Sequence, residues 1–275
     1  MTKSILMIGQ SNMAGRGFVN EVPMICNERI QMLRNGRWQT MTEPINYDRP
    51  VSGISLAGSF SAMWCMKNEN DNLGLIPCAE GGSVIDDWSV DKVLFQHAKF
   101  ALRDSELIGI LWHHGESDSY GGSYKTYYEK LKVIIDTLRE ELNAENIPLI
   151  IGGLGDYLGK SAFGSMCTEY NLINDELIKF AENENNCYFV TAKGLDCNPD
   201  GIHINAVSQR KFGVRYYYAF AKKESVFSPL ENEEELLDKC INNKELTQNE
   251  KSYLNMMDFA LGKIDYEEFM KRFSM

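Results

Sequence analysis

The chain has 275 residues, 44% of them hydrophobic and 24% charged, which allows one large domain or two small ones with a substantial core. Its 28 Lys and Arg stand against 39 Asp and Glu, and the net charge of −11 argues against nucleic acid or an anionic membrane surface as the partner. Seven scattered cysteines, an odd number without a C-x-x-C pair, argue against a disulfide framework or a zinc knuckle.

The first apolar run, Ser4–Ile8, predicts a strand buried on both faces. It is too short for the core of a signal peptide, no later run is long enough to span a bilayer, and free cysteines suit a reducing compartment; a cytoplasmic protein is expected. Beyond the strand, Gly9-Gln10-Ser11-Asn12-Met13-Ala14-Gly15 sets a serine between two amides. Residues 27–41 read as a hairpin turning at Asn35-Gly36. A helix is expected over Leu56–Asn68, then a strand over Leu73–Cys78 that runs into Ala79-Glu80-Gly81-Gly82-Ser83. Lys92–Arg103 predicts a helix and Leu107–His113 a strand, followed by His114-Gly115-Glu116-Ser117-Asp118. In Tyr124–Asn143 the residues Tyr127, Leu131, Ile134, Ile135 and Leu138 recur at helical spacing. Pro148–Gly152 and Cys187–Thr191 predict strands, Met166–Asn185 and Ser208–Lys223 helices, and Asn198-Pro199-Asp200-Gly201-Ile202-His203-Ile204-Asn205 a loop before the last of these. Five alternations of strand and helix predict a doubly wound α/β domain over residues 1–228. Strand character then disappears, and residues 229–275 are expected to form an appendage of two or three helices, with Thr247 as a cap.

Sites in open α/β sheets form beyond the carboxyl ends of the strands. Ser11 there can present a hydroxyl and an N–H to a crevice, or simply cap a helix. Gly81 and Gly82 allow a close backbone approach and an N–H aimed at an oxyanion, or make an ordinary turn. Two histidines and two carboxylates within residues 113–118 invite a metal, but adjacent histidines on an extended segment face opposite sides, so no metal is expected. Asp200, three residues before His203, can hold Nδ1 and leave Nε2 free as a base, or can merely stabilise the turn. Taken together these are the parts of an acyl-transfer site, without the G-x-S-x-G elbow of α/β-hydrolases.

The four segments around Ser11, Gly81-Gly82-Ser83, Trp112–Asp118 and Asp200–His203 resemble the SGNH hydrolase superfamily, in particular its carbohydrate-esterase branch of acetylxylan-esterase and sialate-O-acetylesterase-like proteins. They follow the family's order over residues 1 to about 225. The resemblance implies a three-layer α/β/α sandwich around a five-stranded parallel, flavodoxin-like sheet. It also implies removal of O-acetyl groups from a carbohydrate partner, with no metal or organic cofactor. Carried over by position, Ser11 is the nucleophile, His203 its base and Asp200 the residue that orients His203. The N–H groups of Ser11 and of Gly82 or Gly81 supply the oxyanion hole. A third donor comes from the segment at 112–118, where His114 stands in place of the family's glutamine. Gln10 and Asn12 hold the loop's shape, and Glu116 either supports its own loop or competes with Asp200 for His203. Two rival readings accompany this one: a lipase- or thioesterase-like member acting on short acyl esters, and a non-catalytic carbohydrate-binding protein with a degenerate site.

Overall fold

A computed structural model describes residues 2–101 and 105–273. Its central strand is β1 (Thr2–Gly9), in which Ile5, Leu6, Met7 and Ile8 are fully buried because helices cover both faces. A short helix, α1 (Ser11–Ala14), follows directly. Next come β2 (Ile30–Arg34) and β3 (Arg37–Thr40), joined through Asn35 and Gly36, both at the positive φ that a tight two-residue hairpin turn requires. The chain then alternates α2 (Leu56–Lys67), β4 (Leu73–Pro77), α3 (Val93–Phe100), β5 (Ser105–His113), α4 (Tyr124–Leu142), β6 (Leu149–Gly152), α5 (Tyr170–Asn183), β7 (Cys187–Val190) and α6 (Ala206–Lys222). It continues through α7 (Glu233–Asn242), α8 (Gln248–Ala260) and α9 (Tyr266–Phe273).

The sheet has seven strands in the order β3-β2-β4-β1-β5-β6-β7, and only the β2–β3 pair is antiparallel. The expected five-stranded sheet is therefore two strands too small. The hairpin does not stand apart: β2 lies parallel to β4, with Ile30 opposite Leu73 and Met32 opposite Leu75. Burial explains the joining, since Ile30 and Met32 have at most 1% of their surface exposed and an isolated hairpin cannot cover them. Trp38 of β3 lies over Gly74 in β4, where a side chain would collide with its ring.

Side-chain alternation along the strands divides the core into two layers. Ile5, Met7, Leu75 and Leu111 pack with residues of α2 and α6, whereas Leu6, Ile8, Ile110 and Trp112 pack with residues of α3, α4 and α5. The result is the expected three-layer α/β/α arrangement. Its helix ends differ slightly from expectation. α5 begins at Tyr170 because residues 162–166 form a separate 3₁₀ turn. α6 begins earlier than expected, capped by the Asn205 side chain, which accepts from Ser208 N at 2.8 Å. The helix expected to end at Arg103 runs to Phe100, and Arg103 itself lies outside the described residues.

Beyond α6, Leu236, Leu237, Cys240 and Ile241 of α7 join the same hydrophobic cluster as α2 and α6. Arg215 of α6 grips both oxygens of Glu233, at 2.7 and 2.9 Å. Thr247 caps α8 as expected: its hydroxyl accepts from Glu250 N, and the Glu250 carboxylate accepts from Thr247 N. Phe269 of α9 stacks on Phe259 of α8 with ring centroids 4.8 Å apart. Among the described residues all seven cysteines are free thiols, and no helix is long and apolar enough to cross a membrane.

Candidate active site

Among the parallel strands the order β4-β1-β5-β6-β7 reverses direction at β1, which opens a crevice beyond the carboxyl ends of β1 and β5. Gly9 makes the close of β1 possible. It has φ +132°, and a Cβ there would stand 2.1 Å from the His113 carbonyl oxygen. Gln10 N donates to that same oxygen at 2.9 Å. Ser11 is thereby turned onto the first residue of α1, with 5% of its surface exposed. Its N–H has no hydrogen-bond partner among the described residues.

The amides on either side of Ser11 reach two different loops. Gln10 Oε1 accepts from Gly115 N at 3.0 Å and from Ser117 N at 3.4 Å. Asn12 Oδ1 accepts from Ile204 N at 2.8 Å, and its Nδ2 donates to Ile202 O at 3.1 Å and to the Glu116 carboxylate. Asn12 thus grips both chain neighbours of His203 and holds that residue's loop to the loop of Ser11.

Asp200 and His203 meet as their spacing predicts. Asp200 Oδ2 lies 2.7 Å from His203 Nδ1, while Oδ1 accepts from the N–H groups of His203 and Ile202 at 3.0 and 3.1 Å. Burial alone would raise the Asp200 carboxyl; the bonds from His203 and Ile202 outweigh it and hold the group below the usual carboxylate range. With Nδ1 engaged, Nε2 is the nitrogen of His203 left for chemistry.

Glu116 makes no hydrogen bond to His203 among the described residues. It is 1% exposed and accepts from His113 Nε2 at 3.0 Å and from Asn12. Burial works to raise its pKa, but His113 and Asn12 prevail and bring it down to about 2. Both of these bonds tie Glu116 to its own loop and to the loop of Ser11. The two histidines face opposite sides of the sheet, as expected. His113 packs edge-on against Phe212 of α6, and His114 lies against Trp112 and Tyr127. Among the described residues no cluster of three or more metal-binding side chains occurs.

His114 is fully buried; its carbonyl oxygen accepts from the Tyr127 hydroxyl at 3.0 Å, its Nδ1 lies 3.0 Å from the same hydroxyl, and its Nε2 has no hydrogen bond among the described residues. Burial lowers its pKa to about 4 against opposing pulls from Glu116 and the Ser83 backbone, so the ring is neutral at pH 7. Asp118 Oδ2 lies 3.8 Å from His114 Nδ1 and accepts from Ile85 N at 2.9 Å, which places the ring near the segment that follows the turn at 81–83.

In that turn the structure separates the two glycines. Gly81 N already donates to Asp48 Oδ2 at 2.8 Å, so Gly81 is not a free oxyanion donor. Gly82, at φ +79°, has an N–H with no partner among the described residues and open space where a Cβ would project. Asp48 escapes sequence reasoning. It lies in an irregular segment between β3 and α2 with no periodic signal, and its partner Arg16, 2.6 Å away, is 32 residues off. A cavity of about 540 Å³ opens beside the turn, lined by Arg49, Gly82, Ser83, Asp87, Lys92 and His97 among others. Small-molecule sites span roughly 300–1,000 Å³.

The family described as "Carbohydrate esterase, sialic acid-specific acetylesterase" matches residues 2–222. A probable carbohydrate esterase of Arabidopsis thaliana is 27% identical over 244 residues, covering 78% of this chain and 88% of the relative. The X-ray structure of that Arabidopsis protein superposes with a TM-score of 0.71 at 24% identity, over 80% of this chain and 98% of the other. The crystal structure of NanS gives 0.66 at 15% identity over 81% and 97% of the two chains. A carbohydrate acetylesterase from Xanthomonas citri gives 0.58 at 16% identity over 81% and 56%. At these identities the structural matches establish a shared fold.

Proposed function

Because the chain belongs to the carbohydrate-esterase family of sialic acid-specific acetylesterases, we propose that it hydrolyses O-acetyl esters of sugars with Ser11 as nucleophile, His203 as base and Asp200 as its orienting carboxylate. The observation that carries this reading is the grip of Asn12, next to Ser11, on both neighbours of His203. Ser11 Oγ attacks the acetyl carbon as His203 Nε2 takes its proton, and Asp200 stabilises the imidazolium. The carbonyl electrons move to oxygen, where the N–H groups of Ser11 and Gly82 receive the charge. Collapse expels the sugar hydroxyl, protonated by His203. Water, deprotonated by the same imidazole, then releases acetate from Ser11.

The third donor in this scheme is His114. For Nε2 to carry the proton, the Tyr127 hydroxyl must turn its single hydrogen to Nδ1, 3.0 Å away, and give up its bond to the His114 carbonyl oxygen, also at 3.0 Å. His114→Ala is then expected to lower kcat by about 10²–10³-fold, the usual loss for one oxyanion donor. KM should change much less, because the bond strengthens as charge develops. His114→Gln should keep activity. Unaltered kcat in a folded His114→Ala protein would leave the hole with two backbone donors.

Acetate release from acetylated xylo-oligosaccharides, acetylated sialic acids and simple sugar acetates tests the function as a whole. At least one class should release acetate, and p-nitrophenyl esters should be cleaved with falling efficiency from acetate to octanoate. Preference for octanoate would favour the lipase-like reading, and no hydrolysis of any ester the carbohydrate-binding one.

A further inference from the structure

We propose that the consecutive residues Asp48 and Arg49 are positioning residues that aim the Gly82 N–H, an inference that rests on the oxyanion hole proposed above. They hold Gly81 from both sides. Asp48 Oδ2 accepts from Gly81 N at 2.8 Å, and Arg49 Nη2 donates to Gly81 O at 3.1 Å. The Gly81 carbonyl and the Gly82 N–H belong to one peptide plane, and in a trans peptide they point in opposite directions. Fixing the carbonyl on Arg49 therefore fixes the direction of the N–H. Without the clamp a glycine pair would sample many orientations of that plane, since neither residue has a Cβ to restrict it.

The clamp is itself held. Asp48 is almost fully buried and accepts from Arg16 Nη1 and Nη2 at 3.1 and 2.6 Å and from Ser52 Oγ at 2.9 Å, besides Gly81 N. Arg16 also donates to Gly15 O, and the Arg16 carbonyl accepts from Asn198 Nδ2 at 2.8 Å. The turn at 81–83 is thus tied to the loop after Ser11 and to the segment leading to His203. Arg49, about half exposed, forms an ion pair with Glu80 at 2.7 Å. Its guanidinium also polarises the Gly81 peptide, which strengthens the Gly82 N–H as a donor.

An amide cannot replace the Asp48 carboxylate. Donors face both of its oxygens, so either orientation of an asparagine sets N–H against N–H. The test is the hydrolysis of p-nitrophenyl acetate, which carries no sugar for Arg49 to bind, by Asp48→Asn and Arg49→Met enzymes. The kcat is expressed per site titrated with a fluorophosphonate, so that unfolded protein is not counted. Both variants are expected to lose about 10–10²-fold in kcat, part of the loss of a whole donor, with KM nearly constant. Arg49→Lys should recover part of the Arg49→Met loss. Arg49→Met involves an exposed side chain and keeps the test decisive if Asp48→Asn folds poorly. A rise in KM at unchanged kcat would make Arg49 a substrate contact and overturn the proposal, as would unchanged constants in both variants. Wild-type protein without activity on any acetyl ester would overturn the oxyanion hole as well, whereas an active wild type with undiminished variants overturns the clamp alone.

Discussion

Ser11→Ala is expected to lower kcat for acetyl-ester hydrolysis by about 10⁶-fold, the scale seen when the nucleophile of a triad is removed. The fold should survive, because Ser11 sits in α1 and its hydroxyl has no hydrogen bond to lose among the described residues, while the backbone bonds of the turn remain. Ser83 is the nearest alternative within the proposed site, but its hydroxyl donates to Glu80 O at 2.9 Å and accepts from Trp88 Nε1 at 3.2 Å. Both of these bonds would have to break before it could act. A fluorophosphonate should therefore add one label, on Ser11 by peptide mapping. A label on another serine in an active enzyme transfers the role, and an active Ser11→Ala enzyme removes it from Ser11.

Asp200→Asn should cost about 10⁴-fold in kcat, by the change of tautomer known for triads. The local bonds show why. Asp200 Oδ1 accepts from two backbone N–H groups, so an asparagine must keep its oxygen there and turn its NH₂ toward Nδ1. Nδ1 then accepts a hydrogen bond instead of donating one, and Nε2 carries the ring's hydrogen and cannot take the proton of Ser11. Glu116→Gln leads to a different expectation. The Asn12 and His113 bonds to the Glu116 carboxylate both fall on Oε1, and Oε2 has no partner among the described residues. A glutamine can keep its oxygen toward Asn12 and His113, so the loss should be about tenfold, the charge-assisted part of those bonds. Measured kcat values in the reverse order would make Glu116 the partner of His203.

Much of this arrangement is legible in the sequence because it is local. Ser4–Ile8 and Pro148–Gly152 are apolar on both faces, which marks strands of a buried parallel sheet, and the observed strands agree to within two residues. Asp200 and His203 are three residues apart, so their contact follows from chain geometry. The hairpin over 27–41 is legible as a hairpin, since Asn35-Gly36 states its turn. Its place beside β4 is not, because that pairing joins residues 43 positions apart, Ile30 and Leu73. The same limit hides the uses of Gln10 and Asn12, the capture of Gly81 N by Asp48 and the clamp made with Arg49. Each is a polar contact between distant loops, and no hydrophobic period records it. The choice between Gly81 and Gly82 turns on such a contact.

The reach of Asn12 has a consequence for how the enzyme comes into being during synthesis. Its side chain and carbonyl bond to residues 104, 190, 192 and 197 positions further along. At about 5–20 residues per second on the ribosome, the loop that holds His203 emerges roughly 10–40 s after the serine. A nascent chain therefore displays Ser11 without His203 for most of its synthesis. The proposed site is complete only when Ile202, Ile204 and Gln209 close on an asparagine that has waited for them since the first strand was made.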